Sequence, residues 1–138
     1  EKTNTFSEMS ESKFMEGWAM HTYGQKNNLV NKKKKVENEY KIFGTSINYI
    51  LDNKILEIPN YIKLDVDGLE HLILLGGKKY LSNNKIRSII VEIDENYKNE
   101  LKKIKKIMKE NNFNFKEKHN LPHNDKKFQN IFNYVYER

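Results

Sequence analysis

Cysteine is absent from this 138-residue sequence, proline occurs twice and tryptophan once. Without thiols there is no disulfide framework and no thiolate metal centre. A reducing cytoplasm suits such a chain, and the chain is expected there. Glycine is scarce too: there are six, and only Gly76 and Gly77 adjoin, so no phosphate-cradling P-loop is present. Long apolar runs are missing as well. The longest, around Leu72–Leu75, is far too short to span a bilayer. No Ser/His/Asp order supports a hydrolase. His21, His71, His119 and His123 have no metal-ligand spacing among themselves.

What remains still describes a folded domain. Hydrophobic residues make up 37% of the chain and mean hydropathy is −0.88, low values for an enzyme. Aromatic residues reach 12%, eight Tyr and seven Phe among them, which argues against disorder. The length is that of a single domain, residues 1–138. The net charge of +6 raises a polyanion partner as one reading: a non-catalytic basic module that binds nucleic acid. Most lysines are scattered among glutamates and asparagines, apart from Lys32–Lys35 and the 102–109 segment. They read first as solvated surface, and with no aromatic RNA-binding signature a nucleic-acid partner is not expected.

The N-terminal third carries the weakest periodicity. One short strand is expected around Thr3–Phe6, then a long loop over 7–36, in which Gly17 and Gly24 bracket Trp18, Met20, His21 and Tyr23. Long loops of this kind often form lids or binding loops. Trp18, His21 and Tyr23 can pack locally or line a substrate rim. From Tyr40 the signal sharpens. "EYKIFG" alternates as a strand, and Thr45 or Ser46 caps a short helix with Ile47, Ile50 and Leu51 on one face. "YIKLDV" is a strand, and "LEHLILLGGKKYL" is a helix that loosens at Gly76–Gly77. "RSIIVEI" is a near-continuous apolar strand of the kind buried on both faces. "YKNELKKIKKIMKENN" is an amphipathic helix with Leu101, Ile104, Ile107 and Met108 inward, and strands follow at 113–115 and "IFNYVYER". Strands alternating with helices predict an α/β fold with a mostly parallel sheet, closed by an antiparallel edge hairpin.

The acids then become the question. In open α/β sheets ligands bind outside the carboxyl ends of the strands. Two such ends are acidic: Asp65 and Asp67 after one strand, Glu92 and Asp94 near the end of the next. On neighbouring strands these groups would share one rim. Asp67-Gly68-Leu69-Glu70 also fits a capping box, with Asp67 as the N-cap and Glu70 closing the first turn. Capping does not explain Asp65, which lies two residues earlier, nor Glu92 inside an apolar strand.

The segment "YIKLDVDGLEHLILLGGKKYL" followed by "IRSIIVEID" resembles the C-terminal half of FkbM-type methyltransferases. Lys63, Asp65, Asp67, Gly68, Glu70, Gly77 and Glu92 carry the resemblance, with "GTSINYIL" similar to the helix that precedes the strand. The good match spans about residues 40–95. The resemblance implies a Rossmann-like class I methyltransferase fold and S-adenosylmethionine as cofactor. It also implies transfer of a methyl group to a hydroxyl of a sugar or glycosylated small molecule. Asp65, Asp67 and Glu70 are then the expected catalytic residues, with Asp65 on the acceptor side or as general base. Glu92, Trp18, His21 and Tyr23 are candidates for the substrate rim. Asp65 and Glu92 could also hold Mg²⁺ through oxygen ligands, against the plainer reading of an acidic rim without metal.

The sequence departs from the family pattern in one respect. Nothing in residues 1–60 looks like a Gly-rich cofactor loop or an acid for the ribose. The chain is therefore expected to lack the N-terminal cofactor-loop half and to be the C-terminal portion of a longer enzyme, inactive by itself. An unpaired parallel sheet edge would follow, to be covered by another chain such as a second copy, or by the 7–36 loop.

Overall fold

A computed structural model describes residues 4–11, 21–23, 38–66, 68–120 and 128–138. The chain divides into two compact units, Glu1–Ser46 and Ile47–Arg138.

The first unit is a three-stranded antiparallel sheet in the order β2-β1-β3, with β1 Thr5–Glu11, β2 His21–Tyr23 and β3 Asn38–Gly44. Residues 7–11, expected within a loop, instead continue β1, because all seven residues from Thr5 to Glu11 pair with β3. The ladder of backbone hydrogen bonds sets the strand here, although "TFSEMSE" has no clean alternation of its own. Phe6 lies opposite Phe43, and their rings meet edge to face with centroids 5.6 Å apart. At the other end Asn38 donates to the carboxylate of buried Glu11 at 3.3 Å. Trp18 lies outside the described residues. His21 and Tyr23 pair through their backbones with Glu11 and Met9.

The second unit carries α1 Ile47–Asp52, β4 Tyr61–Leu64, α2 Glu70–Gly76, α3 Lys78–Leu81, β5 Ser88–Asp94, α4 Lys98–Glu110, β6 Asn114–Asn120 and β7 Ile131–Glu137. Its sheet runs β4-β5-β7-β6. Strands β4 and β5 are parallel, joined by the α2–α3 crossover, whereas β7 is antiparallel to both β5 and β6. The expectation of a mostly parallel sheet is corrected accordingly: this sheet is mixed, with one parallel pair among the described strands. Burial explains the arrangement. β6 is exposed at all seven positions, which suits an edge, whereas β7 buries Tyr134, Val135 and Tyr136 and takes the interior place beside β5.

Alternation along the strands sorts the two faces. Leu64, Ile89, Val91, Ile93, Tyr134 and Tyr136 form one core with Leu74 of α2, Leu81 of α3 and Ile104 and Met108 of α4. The intervening residues, Lys63, Ile90, Glu92, Asn133 and Val135, belong to the opposite face. The helix break at Gly77 is as the sequence predicts, and it has a packing cause: a Cβ there would lie 3.1–3.3 Å from three atoms of the Ile47 side chain. Among the described residues no helix is long and apolar enough to cross a membrane.

Candidate active site

The parallel pairing runs to Leu64 opposite Val91. The next residues along, Asp65 and Glu92, therefore stand side by side at the carboxyl ends of β4 and β5, as the sequence suggested. Lys63, two residues earlier on β4, turns its ammonium back to Asp65 at 2.6 Å. That ammonium holds the Asp65 carboxyl below the usual aspartate range. The hydrogen bond to Glu92 acts the same way, and partial burial works against both. In return Asp65, with a smaller contribution from Glu92, raises the Lys63 amine. Asp65 keeps 42% of its side-chain surface exposed. It is thus an ionised carboxylate, oriented by a neighbouring cation and open to a ligand.

The loop that follows is held from beneath. The first turn of α2 lacks the expected capping box: Leu69 is the N-cap residue and makes no side-chain cap bond. Glu70 instead turns its carboxylate back into the loop, accepting the N–H of Val66 on one oxygen and of Gly68 on the other, both at 3.0 Å. Gly68, at φ 100°, takes a left-handed conformation that glycine adopts at little cost. Glu70 is only 3% exposed. Burial pushes its carboxyl up, the backbone N–H groups pull it down, and the charge of Glu100 adds a further push upward. Asp67 lies outside the described residues.

A second polar pair sits behind this loop. His71 Nδ1 lies 2.8 Å from Glu100 Oε1 and its Nε2 lies 3.5 Å from the Lys103 ammonium. Sequence reading missed the pair, yet a signal existed. Glu100 occupies the same stripe of α4 as Ile104, Ile107 and Met108, all buried, and a carboxylate on an apolar stripe needs a partner.

The other acids at the strand ends are engaged locally. Asp94 accepts the N–H of Asn96 at 2.9 Å. Glu95 accepts from Lys118 and Tyr134, and these bonds, Lys118 first, hold it below the usual glutamate range. Asn133 of β7 lies opposite Glu92, and its buried side-chain oxygen has no hydrogen-bond partner. Asp65 and Glu92 could offer oxygens to a cation, but among the described residues no group of three or more His, Cys, Asp or Glu is placed to hold a metal. The lysines 102, 103, 105, 106 and 109 of α4 are exposed. Lys103 turns toward His71, and Lys106 lies 3.8 Å from Glu110.

S-adenosylmethionine is not fitted by the described residues. Only Gly68 among their glycines has a left-handed backbone, and it serves the acidic loop, so among the described residues no glycine-rich turn is left for a nucleotide. No curated protein and no solved structure matches the chain. The sequence model of the methyltransferase FkbM domain does match, over residues 4–115. That span takes in nearly all of the first unit and the second unit through α4, with the two parallel strand ends and their acids, and the chain belongs to the FkbM methyltransferase domain family.

Proposed function

We propose that this protein serves an S-adenosylmethionine-dependent O-methyltransferase whose acceptor is a hydroxyl of a sugar or of a glycosylated small molecule. The observation that carries the reading is Asp65, an exposed carboxylate held by Lys63 and standing beside Glu92 at the parallel strand ends. The described residues build the acceptor side. Asp65 accepts a hydrogen bond from the reacting hydroxyl and orients its oxygen, which is where a bound reactant gains most from being held. With its pKa lowered, Asp65 is a weak base. A weak base suffices, because a hydroxyl oxygen that gains an alkyl group becomes strongly acidic. Lys63 keeps Asp65 ionised and Glu92 borders the same rim. Glu70, with both oxygens taken by the loop, positions the segment and does not touch the acceptor.

The test uses the polypeptide made from its natural reading frame, a saccharide pool and S-adenosylmethionine labelled in the methyl group. Labelled saccharide is expected, with Asp65→Asn lowering the rate by about a hundredfold, within the range attributed to acid–base groups. Absence of labelled saccharide, or an Asp65→Asn variant as fast as the parent, would sink the reading.

A further inference from the structure

The acidic loop is continuous with a buried polar chain that crosses from α2 to α4. Starting at the surface, the Lys103 ammonium faces His71 Nε2 at 3.5 Å, and His71 Nδ1 faces Glu100 Oε1 at 2.8 Å. The other oxygen of Glu100 points at the loop, lying 3.9 Å from where a Cβ on Gly68 would be. From the opposite side the carboxylate of Glu70 holds Gly68 and Val66 by their N–H groups. His71 and Glu100 are each 9% exposed and Glu70 3%. The partners assign the imidazole: Nδ1 carries the hydrogen donated to the carboxylate, and Nε2 accepts from the ammonium.

We infer that His71 and Glu100 are positioning residues for the loop bearing Asp65, a latch that keeps Glu100 on the imidazole and leaves the N–H groups of Val66 and Gly68 to Glu70. Two buried carboxylates converge on one turn, and only one can take its amides. The Nδ1–H of His71 engages Glu100. Without it, Glu100 is a buried acceptor lacking a donor, which costs more than the bond itself contributes. Its other oxygen already faces the turn at Gly68, where it would compete with Glu70. Glu70 then loses its hold, and the turn that follows Asp65 opens. The consequence for turnover rests on the reading of Asp65 given above, but the fastening of the loop does not, so it is tested without methyl transfer.

Amide exchange in the full 138-residue chain, followed residue by residue by NMR, is the measurement. In His71→Ala the Val66 and Gly68 amides should exchange at least tenfold faster than in the parent, while those of Tyr134 and Tyr136 in β7 change by less than threefold. His71→Asn, whose amide nitrogen sits near the position of Nδ1, should restore most of the protection. A role limited to overall stability would instead raise all four amides together, as the core truncation Ile104→Val is expected to do. Glu70→Gln should release the Gly68 amide by itself. If His71→Ala does not fold, the double variant His71→Ala with Glu100→Ala, which removes the competing carboxylate, should keep the Val66 and Gly68 amides protected by Glu70, and their release there would overturn the latch. Unchanged Val66 and Gly68 amides in His71→Ala by itself, a uniform rise across β7, or failure of His71→Asn to restore protection would each overturn it as well.

Discussion

A carboxylate buried for the sake of two backbone N–H groups has a pH signature of its own. Glu70 is such a group, with its carboxyl raised above the ordinary 4.5 mainly by burial. Well below pH 4.5 both the folded and unfolded chains carry the proton. Between that value and the raised one, the unfolded chain has released its proton while the folded chain keeps it. Stability therefore falls as pH rises across that window and levels off above the folded pKa. Glu70→Gln removes the titration. Urea unfolding at steps between pH 4 and 7 should show the difference between parent and variant changing across this window and becoming constant above it. A constant difference at all pH values would mean that Glu70 ionises as readily in the folded protein as in the unfolded chain. The same residue shows what the sequence conveyed and what it did not. The spacing Asp67-Gly68-Leu69-Glu70 pointed to a helix beginning in this stretch, but the N-cap is Leu69 and not Asp67. It could not tell which amides the glutamate would take, because Val66 and Gly68 become its donors only once Gly68 adopts its left-handed φ.

At the level of elements, the junction of α2 and α3 shows how a single missing side chain sets a packing distance. α1 and α3 are tied by Asp52, which accepts from Lys79 and Tyr80. Close by, Ile47 fills the space above Gly77 so closely that an added methyl would meet it at 3.1 Å. Gly77 has an ordinary φ of −106°, so alanine there is limited by contact and not by backbone strain. Gly77→Ala is expected to destabilise the protein by about 1–3 kcal/mol through overpacking. Ile47→Ala should cost about 1 kcal/mol less in that background than alone, a coupling that a double-mutant cycle in urea reads directly. Additive effects would show that α1 moves aside without cost. Most elements were legible from the sequence because their signals are local. The 3.6-residue stripe of α4, the apolar run of β5 and the double glycine each appear where the pattern put them. The order of strands was less legible. β6 and β7 form the expected hairpin, yet β7 lies against β5. The deciding quantity is the relative burial of two strands, which depends on partners far along the chain. The extension of β1 to Glu11 was missed for the same reason, since its seven pairings to β3 are long-range and its own alternation is poor.

For the whole molecule, the candidate site consists of the acids at the parallel strand ends, to which the proposed function assigns the acceptor. The convergence of Asp65 with Glu92 could be anticipated, because two acidic strand ends joined by a helical crossover must be parallel neighbours or nearly so. The His71–Glu100 pair could not be placed in advance, because it requires the packing of α2 on α4. Trp18, which the sequence offered for the substrate rim, lies outside the described residues, and so does Asp67. Cofactor affinity in such folds comes largely from a Gly-rich turn that lets the backbone approach the ligand, and from an acid on the ribose hydroxyls. The described residues spend their one left-handed glycine on the acidic loop, and Gly17 and Gly24 stand alone in the sequence. The 138-residue chain is therefore expected to bind S-adenosylmethionine weakly or not at all. Titration calorimetry on the purified chain should give no saturable heat at micromolar cofactor, and Asp65→Asn should not alter that result if Asp65 serves the acceptor as proposed. Saturable micromolar binding would overturn the expectation and place a cofactor site in the N-terminal unit. Substitution of Gly17 and Gly24, the two glycines there outside the described residues, would then locate it.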